Sequence, residues 1–381
     1  MSTDVPSSGS TSQNGRVTLR IDITGLPPER LRFAVSPLAE LTAMLHALAA
    51  TEHHPRFAAW AAGVRAALRP ELAERLQEAE FLWRSSRADF LLPARPKPSL
   101  KEELDDVDLI DDEAYVLSAL VTTCGSNRVQ FGEASPLTDE AARERALDRA
   151  QARGAAQEAF AERLLADPGA VRQRVRETLE QCAEAFFDAA WQDVIARLAA
   201  DAQAKTDLRA RDGIGRALTS VSGAVRFDSV ADGSERIVVD KLQDSATSAQ
   251  GVGMTLIPTV FGSPHLVAVH APGWRPVLQY PVAELSAAER LVPMEVIERR
   301  LRALSHPVRL RLVRTLARSP HTTGELAGAW QLTAPEVSRH LAVLRKAELL
   351  VTERRGRYVY YALDAPALTA LGTDLLSAVL R

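Results

Sequence analysis

Apolar residues recur in this chain at two periods, and the switches between them mark its elements. Residues 16–24 alternate apolar and polar, which predicts a half-buried strand. Pro27 and Pro28 end it, and residues 28–33 read as a turn of helix. Leu38, Leu41, Leu45 and Leu48 then recur at helical spacing and predict a helix over 37–50. Two amphipathic helices follow over 55–68 and 70–83, then a Pro-rich loop over 94–99. The acidic run from Lys101 to Glu113 reads as a solvated face. Residues 139–167 and 168–210 read as two long helices, broken at Asp167-Pro168-Gly169, with Pro168 suited to a first turn. In the second, Val171, Val175, Leu179, Cys182, Phe186, Ala190, Val194 and Leu198 form a face to be buried in the core or in a dimer. Short strands are predicted over 223–228, 235–240, 251–261 and 265–270. A last extended piece covers 277–280.

The final ninety residues have a tighter pattern. A helix over 293–304 carries Val296, Leu301 and Leu304 on one side. After His306-Pro307, Leu310, Val313 and Leu316 stripe the next helix. Thr322 and Thr333, eleven residues apart, are each followed three positions on by Glu, the form of a capping box. Two capped starts so close predict a helix-turn-helix. In its second helix Val337, Leu341 and Leu344 face inward, which turns Ser338, Arg339, Ala342 and Arg345 outward. A helix presenting Ser, Arg and the neighbouring His340 suits a DNA major groove. Residues 351–363 alternate as a hairpin whose tip carries Arg354, Arg355 and Arg357 around Gly356, suited to phosphate or minor-groove contact. Leu368, Leu371, Leu375, Leu376 and Val379 stripe a terminal helix.

Charge sharpens this picture. The net charge of -3 divides into 14 basic against 8 acidic residues over 293–381 and 32 against 41 before that. A basic end on an acidic body fits nucleic-acid binding by that end alone. Since 41 of the 46 basic residues are Arg, a single Arg is weak evidence by itself. No apolar run reaches the roughly 18 residues of a membrane span. Residues 1–15, rich in Ser and Thr, predict a disordered tail and not a signal peptide. Cys124 and Cys182 form no metal or redox spacing and read as free thiols in a reducing compartment.

The segments 303–316 and 333–347 resemble the ArsR/SmtB family of winged-helix repressors over roughly 85 residues. The resemblance implies a homodimer formed by the first and last helices of the module. It also implies a recognition helix bearing Thr333, Ala334, Ser338, Arg339, His340 and Arg345, and a wing at Arg354, Arg355 and Arg357 on the DNA backbone. Two departures stand out. The Cys-x-Cys pair of metal-sensing members is missing from 325–330, and the terminal helix lacks His and Glu, so sensing through the known metal sites is not expected. Glu348 stands where the family usually has Gly, which costs on the order of 1 kcal/mol if that position is left-handed. Residues 19–48, the Trp60 helix, 89–93 and 254–261 resemble, more loosely, an extension found on a subset of these regulators.

The remaining chemistry is sparse. Gly213-Ile214-Gly215 and Gly251-Val252-Gly253 lack the full nucleotide fingerprint and read as turn glycines. His53 and His54 are adjacent, so on a helix their rings diverge by about 100°; neither a metal site nor a cofactor is expected. No nucleophile has an activating local context, so no enzyme is expected. Phe261, Trp274 and Tyr280 are candidates to line a pocket for a small-molecule effector. The expected class is α+β: a C-terminal winged helix-turn-helix preceded by a mostly helical regulatory and dimerisation region with a few short strands. Residues 1–15 are expected as tail, 16–285 as the regulatory region, divided at 135/136 if it is two subdomains, 286–292 as hinge and 293–381 as the DNA-binding domain. The expected function is a cytoplasmic, nucleoid-associated, homodimeric regulator, a repressor on an inverted-repeat operator of double-stranded DNA. The alternative is a DNA-binding architectural or chromatin-type scaffold without a ligand.

Overall fold

The computed structural model describes residues 18–84, 87–125, 134–230, 233–240, 245–271, 274–282, 292–355 and 358–379. The expected tail, and the hinge apart from Val292, lie outside these residues. The α+β class holds. Strand β1 (Thr18–Asp22) leads through a 3-10 turn at Pro28–Arg30 into β2 (Leu31–Phe33), and α1 (Pro37–Ala49) follows. The helices α2 (Ala58–Ala67), α3 (Pro70–Ala79), α4 (Leu100–Asp108), α5 (Asp112–Thr123), α6 (Glu140–Gln151), α7 (Ala155–Ala166), α8 (Pro168–Cys182) and α9 (Asp188–Thr219) come next. Strands β3 (Val225–Ser229), β4 (Glu235–Asp240), β5 (Ser245–Ser248), β6 (Met254–Thr259), β7 (Val267–Val269) and β8 (Val277–Pro281) close the region.

The two ends of this region pair with each other. β1 lies between antiparallel β4 and parallel β5, and β3 extends that sheet beyond β4. β2 pairs in parallel with β6, which continues through parallel β8 to antiparallel β7. These contacts join residues on both sides of the expected 135/136 boundary. Leu31 stands opposite Met254 in one sheet, and Leu38, Leu120, Leu164, Val175 and Phe261 belong to one apolar cluster. A strand pair this remote in sequence leaves no local signal, which is also why β2 and β5 were not anticipated.

Helix α1 is the hub. Ser36 caps it, its hydroxyl accepting from the Ala39 N–H, and every residue from Pro37 to Leu48 is buried. A helix buried on all sides is a core helix, and its polar side chains need internal partners. Glu40 Oε1 accepts from the Val260 and Phe261 N–H groups at 3.0 and 2.9 Å. Arg87 Nη1 donates to the Thr42 carbonyl at 2.7 Å. Glu103, inside the expected solvated acidic face, is instead 1% exposed. Its carboxylate accepts from Ser36 Oγ at 2.9 Å and the Leu38 N–H at 2.7 Å, holding the start of α1. On the same run, Asp105 and Asp108 both pair with Arg176 of α8.

Two helix expectations need correction. Gly154, at φ 146°, splits the first long helix into α6 and α7, because only Gly adopts that backbone without strain. A π-turn over Ala183–Phe187 joins α8 to α9 and inserts a residue into the register. The buried stripe therefore shifts by one, from Cys182 to Phe187 and Trp191, and leaves Phe186, Ala190 and Val194 only partly buried. The stripe lies in the chain's own core.

Candidate nucleic-acid interface

The C-terminal module comprises α10 (Met294–Leu304), α11 (Pro307–Leu316), β9 (His321–Thr322), α12 (Thr323–Trp330), α13 (Ala334–Lys346), β10 (Leu350–Arg355), β11 (Tyr358–Leu363) and α14 (Ala365–Val379). Both capping boxes form. Thr322 Oγ1 accepts from the Glu325 N–H while Glu325 Oε2 accepts from the Thr322 N–H at 2.7 Å. Thr333 and Glu336 repeat the exchange, with the return bond at 2.9 Å. Between the helices Gln331 turns the chain in the left-handed region at φ 52°, and the Leu332 N–H bonds the Ala327 carbonyl at 3.1 Å. Each box satisfies helix-end N–H groups that have no partner within the helix, so two short helices start cleanly and cross closely.

Burial fixes the direction of α13. Val337, Leu341 and Leu344 are 0%, 1% and 0% exposed and pack with Leu312, Leu316 and Leu326. Thr333, Ala334, Ser338, Arg339, Ala342 and Arg345 are exposed, as the spacing predicts. His340 is different. It is half-buried, its ring 4.9 Å from that of His306, and burial with His306, Arg309 and Arg339 nearby lowers its pKa below the usual histidine range. It supports the helix from the side of α11 more than it projects with Ser338 and Arg339.

The wing pairs Leu350 with Leu363 through to Arg355 with Tyr358, and β9 adds a third strand beside β11. Arg354 is exposed on β10. Gly356, Arg357 and the side chain of Arg355 lie outside the described residues. Glu348, which follows α13, is left-handed at φ 56°, and its Oε1 accepts from Arg299 Nη2 at 3.0 Å. Two inner faces are rotated from expectation. Ile297, Arg300 and Ala303 face the core on α10, and Leu312 replaces Leu310 on α11. Leu301 and Leu310 are 41% and 50% exposed, because packing against α13 and α14 decides the face, not the Leu spacing alone.

The residues expected to line an effector pocket, Phe261, Trp274 and Tyr280, lie in different surroundings. Phe261 lies in the helical core, stacked on Phe57 at 4.4 Å between centroids. Tyr280 belongs to the core between the sheets, where its hydroxyl donates to Asp201 Oδ2 at 2.7 Å. Trp274 is half-buried. Aromatic density in the sequence marked core filling, the commoner use of such side chains. Sequence reasoning missed a different convergence, four histidines drawn from two distant segments, because no spacing connects position 54 with position 265.

Residues 17–286 match the family of unknown function DUF5937, and residues 304–353 match a helix-turn-helix domain. The chain is 31% identical to the transcriptional repressor SdpR of Bacillus subtilis (strain 168) over 67 residues, 18% of this chain and 74% of that protein. It is 40% identical to the HTH-type transcriptional regulator Rv2034 of Mycobacterium tuberculosis (strain ATCC 25618 / H37Rv) over 78 residues, 20% of this chain and 73% of that protein. Among solved structures, an ArsR family transcriptional regulator, RHA00566, aligns at 26% identity with a TM-score of 0.21, over 22% of this chain and 87% of that one.

Proposed function

The chain belongs to the DUF5937 family and, through its C-terminal module, to the ArsR/SmtB-type regulators, and from that premise we propose that it is a homodimeric, sequence-specific transcriptional repressor of double-stranded DNA. The observation that carries this reading is the outer face of α13, where Ser338, Arg339, Ala342 and Arg345 stand exposed while Val337, Leu341 and Leu344 lock the helix to its core. Arg339 and Ser338 read base edges in the major groove, with Thr333 and Ala334 at the leading end of the helix. Arg354, Arg355 and Arg357 of the wing grip phosphates, which adds affinity without sequence information. Residues 293–381 act as the DNA-binding unit and 16–285 as the regulatory one, joined through 286–292.

Dimerisation runs through α10 and α14. Leu301 on the first, and Leu376 and Val379 on the second, are 41%, 43% and 53% exposed, an apolar display that a second copy covers. Metal sensing through the family's known positions has no support here, since 325–330 hold no thiol and α14 no His or Glu. Among the described residues no helix is long and apolar enough to cross a membrane.

Selection of duplexes from a random pool with the full chain, followed by mapping of occupied genomic sites, tests the proposal. Enrichment of an inverted repeat with half-sites about one helical turn apart, at few genomic positions, is expected. Broad coverage without an enriched sequence overturns it in favour of an architectural protein.

A further inference from the structure

His46 lies in the last turn of α1, His53 ends the 3-10 turn Thr51–His53, His54 follows directly, and His265 comes from the loop between β6 and β7. Their rings converge. Centroids lie 4.8 Å apart for His46 and His54, 4.8 Å for His46 and His265, and 4.9 Å for His54 and His265. His53 stands 5.8 Å from His265. One ring nitrogen each from His46, His53 and His265 can be chosen so that all lie within 4.8 Å of one another.

The surrounding fold holds these segments in place. Glu40, on the same helix as His46, fixes the loop before His265 through the Val260 and Phe261 N–H groups. His54 Nδ1 lies 2.8 Å from the Ser263 carbonyl. A carbonyl only accepts, so Nδ1 carries the proton and Nε2 presents its lone pair. A backbone carbonyl on one ring nitrogen is the usual way a protein orients a histidine whose other nitrogen binds a metal.

That Nε2, with His46 Nδ1 and His53 Nδ1, is buried with no hydrogen-bond partner among the described residues. Buried polar atoms are rarely left so, and three in one cluster of imidazoles require an explanation.

We propose that His46, His53, His54 and His265 form a binding site in the N-terminal region for a divalent transition-metal ion of the zinc class. Tetrahedral Zn–N bonds of about 2.0–2.1 Å place donor atoms about 3.3 Å apart, so the nitrogens of His46, His53 and His265, within 4.8 Å of one another, close in by about 1.5 Å at most through side-chain rotation. An all-imidazole donor set suits Zn, Ni or Cu and not the oxygen-seeking Mg and Ca. His53, with 31% of its side chain exposed, provides the entry. The bound ion ties the end of α1 to the loop after β6, two segments far apart in the sequence, since His54 and His265 are 211 positions apart.

This inference goes beyond the repressor reading and does not depend on it, because its readout is metal alone, without DNA. The full chain is stripped with a chelator and titrated with Co2+ and then Zn2+. One ion per chain is expected, with the visible bands of tetrahedral nitrogen coordination for Co2+, bleached as Zn2+ displaces it. His53→Gln, at the half-exposed position, weakens zinc by more than about tenfold, while His321→Gln in the winged helix leaves it unchanged. Absence of both cobalt bands and stoichiometric zinc in the wild type overturns the proposal. So does wild-type zinc affinity in both His53→Gln and His265→Gln, each shown folded by circular dichroism.

Discussion

Arg300 Nη1 donates to Asp374 Oδ2 at 3.2 Å, linking the first helix of the winged module to its last. The side chains are 9% and 17% exposed, so the pair sits close to the protein interior. Removing Asp374 leaves the Arg300 guanidinium only the more distant Glu348, at 4.0 Å, in a region of low dielectric. Asp374→Ala is expected to lower unfolding stability by about 3 kcal/mol, and Arg300→Leu with Asp374→Leu to recover most of it. Urea denaturation measures both; a loss under about 0.5 kcal/mol for Asp374→Ala contradicts a structural role for the pair.

Glu348 gives a second prediction. Its left-handed backbone strains any side chain with a Cβ, and its ion pair with Arg299 is largely exposed and so weak. Glu348→Gly and Glu348→Ala both lose the ion pair, so their difference isolates the backbone. The Gly variant is expected to be more stable than the Ala variant by about 1 kcal/mol. Equal stabilities remove the strain argument.

Glu103 makes stability depend on pH. Burial pushes its carboxyl up to about 7, against hydrogen bonds from Leu38, Lys97 and Ser36 that lower it. The folded chain then holds this proton more tightly than the unfolded chain does. Its contribution is fully present below the unfolded carboxylate pKa and is lost as pH rises through the window from about 4.5 to about 7. The loss is on the order of 3 kcal/mol. Buried Glu40, also raised by desolvation, acts in the same direction. Denaturation midpoints in steps from pH 5 to pH 8 check the slope, and Glu103→Gln flattens it. An unaltered slope in that variant rules out Glu103 as its source.

The thiols give a kinetic prediction. Burial raises Cys124 to about 11 and Cys182 to about 12, and both are buried and outside any disulfide. The thiolate is the nucleophile, so the native chain is expected to react with a disulfide reagent at near-neutral pH only as fast as it unfolds. Addition of urea should release both thiols at once. Rapid labelling of the native chain contradicts the burial.

How much of this was legible in the sequence depends on the range of the interaction. The winged module was readable because its determinants are local. Capping boxes span three residues, and α13 declares its two faces within ten. The faces of α10 and α11 were misjudged because the tertiary partners α13 and α14 select among nearly equivalent stripes. In the N-terminal region, β1 and the helices of 37–79 showed their periods. The pairing of Leu31 with Met254, the burial of Glu103 under α1 and the meeting of His46 with His265 did not, since each joins residues distant in the chain. The π-turn at Ala183–Phe187 has no signature in composition, yet it moved the buried face from Phe186 to Phe187.

The most direct test of the central claim is the affinity of the full chain for its selected inverted repeat, measured by fluorescence anisotropy against salt for the wild type and for Arg339→Ala. The wild type should bind with a steep negative salt slope. Arg339→Ala should weaken that site by roughly 5- to 150-fold and relax base preference there, with thermal stability unchanged, because the residue is exposed on α13. Wild-type affinity and sequence preference in Arg339→Ala would contradict the assignment of α13 as the DNA-reading helix.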